Sequence, residues 1–385
     1  MSTIPPVDLT QQYRSINGEI EAVVLEVLAS GRYIGGENVD RFEEQFAAYL
    51  GAAECVSCHS GTDALYLALR SLDIGPGDEV ITTPFTFFAT AEAICQVGAK
   101  PVFVDIEPDS FNINPELLRE AINRNTKAIL PVHLFGQPAN MTQILAVASK
   151  HNIPVVEDCA QATGAEWQGK KVGTIGRIGC FSFFPTKNLG AFGDGGAVVT
   201  SDRQLAEKMR TLKCHGERQR YYHEAIGINS RLDAVQAAIL LVKLQYLDTW
   251  NQRRREIADR YFVALHRAPE LILPRQVPDS KCVWHQYTVR VQRDPQEIGT
   301  PQTDRDRLRQ QLDAKGIKTM VYYPQPLHLQ PALQPFTDPK NKLPVAERAS
   351  REVLSLPMFP ELTPQQQDKI TRSLQACFDP KTYSV

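Results

Sequence analysis

Five short runs of apolar and β-branched residues recur along the first half of the chain, separated by helical patterns. They are Glu79-Val80-Ile81-Thr82, Pro101-Val102-Phe103-Val104, Ala128-Ile129-Leu130-Pro131-Val132, Pro154-Val155-Val156 and Gly196-Ala197-Val198-Val199-Thr200. A strand with one wet face alternates polar and apolar residues, whereas a run that is apolar throughout needs cover on both faces. Between the runs, Leu65, Leu69 and Leu72 fall on one face of a helix predicted over 62–72. Asn114 caps another predicted over 115–123, with Pro115 at its first position. Strands alternating with helices predict an α/β fold with a mostly parallel sheet up to about residue 200.

From Arg231 a long amphipathic helix is predicted, with Leu232, Val235, Ile239 and Val242 on one stripe and a polar, Arg-rich stretch at 251–260 after it. The change of character sets an expected division into a large domain, 1–248, and a smaller α+β domain, 249–385, on which the first ~15 residues are expected to pack. The second part carries a strand at 287–291 and helical stretches near 303–315, 344–353 and 364–376; its Gln/Pro-rich run 323–335 is too short to read as disorder. A chain of 385 residues, 43% of them hydrophobic, can bury both cores.

Other classes are excluded by simple counts. Forty-two basic residues against 44 acidic ones, with no basic block, give no nucleic-acid footprint. The first residues, MSTIPPVDLTQQYRS, lack a charged start followed by an apolar run, and no stretch is apolar enough to span a bilayer, so a cytoplasmic location is expected. The eight cysteines are read as reduced. Cys55, Cys58 and His59 spell C-x-x-C-H, a haem-attachment pattern, but that chemistry belongs to exported proteins and these residues run straight into a stronger motif. No second ligand pair stands at zinc-site spacing, so no metal is expected. No strand leads into G-x-G-x-x-G, which removes a dinucleotide enzyme.

Three segments read together as a cofactor site. Ser60-Gly61-Thr62-Asp63 is a small-residue turn opening a helix, whose free N–H groups can hold a phosphate; taken alone, an ordinary cap is the plainer reading. Val155-Val156-Glu157-Asp158-Cys159-Ala160-Gln161 ends an apolar strand in carboxylates, at the edge where α/β sheets place ligands. A carboxylate there can pair with a protonated pyridine nitrogen; a metal ligand or a helix cap is the alternative. In Phe181-Ser182-Phe183-Phe184-Pro185-Thr186-Lys187-Asn188-Leu189-Gly190, a lysine among aromatics and glycines can lose its proton by desolvation and attack an aldehyde; the alternative is a surface loop lysine.

In this order the three segments resemble the DegT/StrS family of sugar aminotransferases, within the fold-type I pyridoxal-phosphate enzymes. The resemblance runs from Gly31-Arg32-Tyr33-Ile34-Gly35-Gly36 to Leu356-Pro357-Met358-Phe359-Pro360. It implies that Lys187 forms the Schiff base with pyridoxal 5′-phosphate, that Asp158 partners the pyridine nitrogen and that Gln161 lies beside the ring hydroxyl. Gly61, Thr62 and Ser182 match phosphate contacts, Phe87 matches the aromatic stacked on the ring, with Phe88 adjacent, and Asn229 matches an asparagine reaching the neighbouring subunit's phosphate. A homodimer with shared active sites is therefore expected. Some relatives carry histidine at the lysine position and dehydrate; Lys187 argues for transamination.

Tyr322-Tyr323-Pro324-Gln325-Pro326-Leu327-His328 resembles the family's segment near the sugar, which makes Tyr323 and His328 substrate-site candidates, with packing as the alternative for the tyrosines. Tyr221-Tyr222-His223 resembles a loop of members that aminate the 3-position of deoxysugars. The implied reaction moves an amino group from an amino acid, glutamate as in the family, to a nucleotide-linked 3-keto-sugar. Two alternatives stand beside it: a keto-cyclitol aminotransferase, and a regulatory, cofactor-binding protein without turnover.

Overall fold

The computed structural model describes residues 3–292, 304–337 and 342–378. Seven strands form the central sheet: β1 (Glu54–Cys58), β2 (Glu79–Thr82), β3 (Lys100–Phe103), β4 (Thr126–Leu130), β5 (Val156–Asp158), β6 (Ile178–Ser182) and β7 (Gly196–Thr200). Their order is β3-β2-β4-β5-β6-β7-β1, with the β4 to β5 junction made by the parallel bridges Ile129↔Val155 and Val132↔Asp158. All run parallel except β7, which pairs antiparallel with both neighbours. The expected mostly parallel sheet is thus present, and strands such as β6 and β7 are buried at every position, as cover on both faces requires.

Helices α1 (Leu9–Ser30), α2 (Glu37–Leu50) and α3 (Gly61–Ser71) lead into and flank this sheet. Phe42 and Phe46 of α2 meet Phe181 and Phe183 edge to face, with ring centroids 5.2–5.3 Å apart. Alternation along an extended chain sends the residue between those two phenylalanines, Ser182, to the opposite side. Truncating a ring in this fully buried cluster would cost about 3–5 kcal/mol.

The helix predicted from Arg231 begins at Ala234, because Arg231–Asp233 remain extended: Asp233 bridges Ile34 and caps the helix Ala234–Leu244. The 251–260 stretch lies inside the next helix, Leu247–Leu265, whose buried residues include Asn251 and Arg254 as well as apolar ones. The expected boundary at 248/249 falls in the first turn of that helix. Beyond it, Ile257, Tyr261 and Leu265 pack with Tyr287, Val289, Leu312, Leu354 and Ile370 in a separate apolar core. Ile4 belongs to this core and its backbone pairs with Gly316 and Lys318, whereas α1 lies on Ile239 and Val242 of the Ala234–Leu244 helix. The strand Tyr287–Val291 and the helices Asp304–Ala314, Pro344–Glu352 and Pro364–Cys377 stand close to their sequence positions. No helix among the described residues is long and apolar enough to cross a membrane.

Cys55 and Cys58 are buried on β1 and belong to different apolar clusters, because three residues along a strand reverse the direction of a side chain. All eight cysteines are free thiols.

Candidate active site

The carboxyl ends of β1, β2, β4, β5 and β6 face one cavity of about 380 Å³. The reversed strand β7 brings its first residues, Gly195 and Gly196, to the same edge. Such an edge is where open α/β sheets bind their ligands.

At one end of the cavity, Ser60 caps α3: its Oγ accepts from the Asp63 N–H at 3.1 Å, leaving the other first-turn N–H groups free toward the cavity. Gly61 lies against the end of β6, where a Cβ on it would come 2.6 Å from Cβ of Ser182. Only glycine lets the two segments approach so closely. Asp63 Oδ2 in turn accepts from Ser230 Oγ, and that oxygen accepts from the His59 N–H, so the turn is braced from behind. An anion-sized cradle of N–H and hydroxyl groups results.

At the other end, Asp158 is 4% exposed. Its Oδ2 accepts from Thr90 Oγ1 at 2.9 Å and its Oδ1 from the Ala160 N–H at 3.1 Å, while Thr86 completes the chain by pairing with Thr90. Burial raises its pKa despite those bonds and despite Lys187 and His133 nearby. A cationic N–H in the cavity is the partner that would favour its ionised form. Beneath it, the fully buried Glu157 accepts the Gly173, Ile175 and Gly176 N–H groups and pairs with His133 Nε2 at 3.0 Å. His133 Nδ1 accepts from the Ala139 N–H, so Nε2 carries the proton. His133, Glu157 and Cys159 stand close enough to hold an ion, but both His133 nitrogens and both Glu157 oxygens are engaged in these bonds, and the Cys159 thiol is turned to the Glu157 carbonyl. They act as a footing for β5.

Lys187 sits in the loop between β6 and β7, where its N–H closes a turn on the Phe184 carbonyl at 2.8 Å. Burial lowers the pKa of its amine to about 8, against the opposing pull of Asp158. At pH 7 roughly one amine in ten is then free base, a nucleophile that an exposed lysine hardly supplies. Gln161 spans the wall, its Oε1 accepting from the Phe135 N–H and its Nε2 donating to the hydroxyl of the half-buried Tyr323 at 3.0 Å. Phe87 is open to the cavity, whereas Phe88 packs against the core, which separates the two adjacent rings.

The cavity thus gathers Gly61, Thr62, Phe87, Asp158, Gln161, Ser182, Lys187 and Tyr323. Two candidates lie elsewhere. Asn229 is exposed beyond the cavity wall, its backbone bridged to Cys214. His328 is buried with its Nε2 on Glu347 Oε1 at 3.2 Å and does not line the cavity. Thr86, Thr90 and His285 line it and carry no signal in the local sequence, and Tyr322 lines it beside Tyr323; His285 comes from beyond the expected 248/249 boundary.

An anion cradle, a buried carboxylate and a deprotonatable lysine on one cavity fit pyridoxal phosphate, and on this fold they define a fold-type I pyridoxal-phosphate aminotransferase. The profile of the DegT/DnrJ/EryC1/StrS aminotransferase family matches residues 14–375, and the chain belongs to that family. It is 48% identical over 373 residues to a Geobacillus stearothermophilus protein named pleiotropic regulatory protein, spanning 96% of this chain and 97% of the other. It is 46% identical over 359 residues to the dTDP-3-amino-3,4,6-trideoxy-alpha-D-glucose transaminase of Streptomyces venezuelae, spanning 93% and 92%. The crystal structure of S. venezuelae DesV in complex with a ketimine intermediate superposes with a TM-score of 0.93 at 44% identity, spanning 98% of this chain and 99% of that one.

Proposed function

We propose that this enzyme transfers an amino group from an amino acid, glutamate first among candidates, to the 3-keto carbon of a nucleotide-linked sugar. The observation that carries the reading is the convergence of Lys187, Asp158 and the Gly61–Ser182 cradle on one cavity. The relatives give it a substrate class: besides the S. venezuelae transaminase, a Pseudomonas aeruginosa relative 44% identical is named UDP-2-acetamido-2-deoxy-3-oxo-D-glucuronate aminotransferase.

Bound pyridoxal phosphate supplies an electron sink for the pair left behind when a substrate proton departs. In our reading the residues divide the remaining work. Lys187 Nζ would hold the cofactor aldehyde and, when released as free base, would carry the proton of the substrate α-carbon. Asp158, held by Thr90 and Ala160, would keep the ring nitrogen protonated. The first turn of α3 with Gly61, Thr62 and Ser182 would hold the phosphate, Phe87 would cover the ring, and Gln161 would bond the ring hydroxyl. The Gln161–Tyr323 bond supports reading Tyr323 as a substrate contact beside the ring. His328, off the cavity, would act on substrate only through its surroundings.

We further infer a homodimer in which Asn229 completes the phosphate site of the partner. In support, Phe87, Phe184, Phe192, Tyr222 and Ile226 expose large apolar surface around the cavity mouth and the Tyr221-Tyr222-His223 hairpin. Eight free thiols suit a cytoplasmic setting, and 248/249 is our division between the two units.

The test is amino transfer from glutamate to 3-keto and 4-keto nucleotide sugars and to free keto-cyclitols, followed by mass. We expect turnover of the 3-keto nucleotide sugar. Turnover of a keto-cyclitol alone would replace the substrate class, and cofactor binding without any turnover would favour the role that the G. stearothermophilus relative's name describes.

A further inference from the structure

His285 enters the cavity from the small-domain side, and its hydrogen bonds fix which ring nitrogen carries the proton. Asn188, the residue after Lys187, places its Nδ2 on the Val283 carbonyl at 3.0 Å and on Asn251 Oδ1 at 2.7 Å. A carbonyl only accepts, so the amide orientation is settled and Oδ1 faces His285 Nδ1 at 3.1 Å. Nδ1 must therefore donate, which leaves Nε2 as the bare acceptor. Among the described residues Nε2 has no hydrogen-bond partner, and the imidazole lines the cavity that Lys187 also lines. The backbone is clamped as well: Arg254 Nη1 donates to the Trp284, His285 and Met358 carbonyls at 3.1–3.3 Å.

We propose that Nε2 of His285 is the acceptor that orients the ε-amine of Lys187 while that amine is detached from the cofactor, which makes His285 a positioning residue for proton transfer. The inference rests on Lys187 being the proton carrier. Two links join the pair: the shared cavity, and Asn188, which ties the lysine's own loop to the imidazole. A protonated ring would repel the ammonium of Lys187 and offer it no lone pair. Burial, Lys187 and Arg254 all hold the imidazole pKa well below its usual 6.5, so the ring stays a neutral acceptor. A substrate hydroxyl is the rival partner for Nε2, and the two cases differ in reach. Lys187 works in both half-reactions, a sugar hydroxyl in one.

The experiment compares His285→Asn with His285→Gln. Asn places its amide near the position of Nδ1 and has nothing at Nε2; Gln reaches the Nε2 position with an oxygen acceptor. Single-turnover rates are followed by cofactor absorbance, with glutamate in one direction and the amino sugar in the other. We expect His285→Asn to slow both half-reactions by a similar factor, on the order of tenfold or more, and His285→Gln to stay within about threefold of wild type. In cofactor-free protein, the pH dependence of Lys187 acylation, read by mass, should give a lower amine pKa in His285→Asn, since an acceptor favours the ammonium, and an unchanged one in His285→Gln. Loss confined to one half-reaction, or an unaffected His285→Asn, overturns the proposal. If His285→Asn does not fold, the Gln variant decides: a loss of about thirtyfold or more in either direction overturns it. A wild-type protein that runs neither half-reaction refutes the proposed function itself, a result distinct from a competent enzyme indifferent to His285.

Discussion

Gly61 and Ser182 touch so closely that a single added methyl group at residue 61 would stand 2.6 Å from the serine Cβ. Gly61 opens α3 and Ser182 ends β6, and the gap between them sets the width of the proposed phosphate cradle. Gly61→Ala is therefore expected to fold and to bind pyridoxal phosphate at least about tenfold more weakly, a modest outcome for a contact that must shift by several tenths of an ångström. Titrating cofactor into the apo-protein checks it; unchanged affinity would show that Ser182 yields freely.

The lowered pKa of Lys187 sets the pH dependence of cofactor capture. The free amine is the reacting form, so with a pKa of about 8 the capture rate should rise about tenfold per pH unit below that value and level off above it. Absorbance of the bound cofactor after rapid mixing gives the profile. Lys187→Ala should leave no borohydride-reducible adduct at any pH, and a persistent adduct would refute the assignment.

Exchange of Asp158 for Asn removes the negative charge and keeps one acceptor oxygen for the Ala160 N–H, with the amide nitrogen facing Thr90 Oγ1 as a donor. We expect kcat to fall by about a hundredfold or more, in the range typical of a lost charge at a reacting centre, with a smaller effect on melting temperature. Steady-state kinetics at saturating substrate separates the two. A fall in stability alone would reduce Asp158 to a structural role.

The proposed sharing of active sites in a homodimer makes a specific prediction for mixed variants. Lys187→Ala and Asn229→Ala proteins, each impaired alone, should regain activity when unfolded and refolded together, because a heterodimer holds one site with both native residues. Random pairing puts about a quarter of all sites in that state. No recovery would place Asn229 outside the partner's site.

Removing the Glu157 carboxylate leaves the Gly173, Ile175 and Gly176 N–H groups and His133 without their acceptor inside the protein. Glu157→Ala should lose about 3–5 kcal/mol in denaturant unfolding, the usual result of stripping one partner from a buried charged network.

Much of this was legible in the sequence where the signal is local. β2 and β7 match their apolar runs to the residue, because burial on both faces leaves no polar position to confuse the reading. β1 and β6 were not marked, since Cys, Ser and Gly interrupt Glu54–Cys58 and Ile178–Ser182, and only tertiary cover makes them strands. The flanks of Asp158 and Lys187 mark them in the sequence, and the structure puts both on the cavity. His285 carries no such mark: its partner Asn188 is 97 residues away, and nothing near His285 in the chain differs from an ordinary buried histidine. His328, marked by its motif, stands off the cavity with Nε2 on Glu347.

The antiparallel pairing of β6 with β7 joins Ser182 to Gly196 across the ladder, so the loop bearing Lys187 begins and ends at one rung. The lysine therefore hangs from a closed clasp, not from a free arm, and the clasp opens only when the middle of the sheet does. Opening of that rung would therefore take the position of the amine with it.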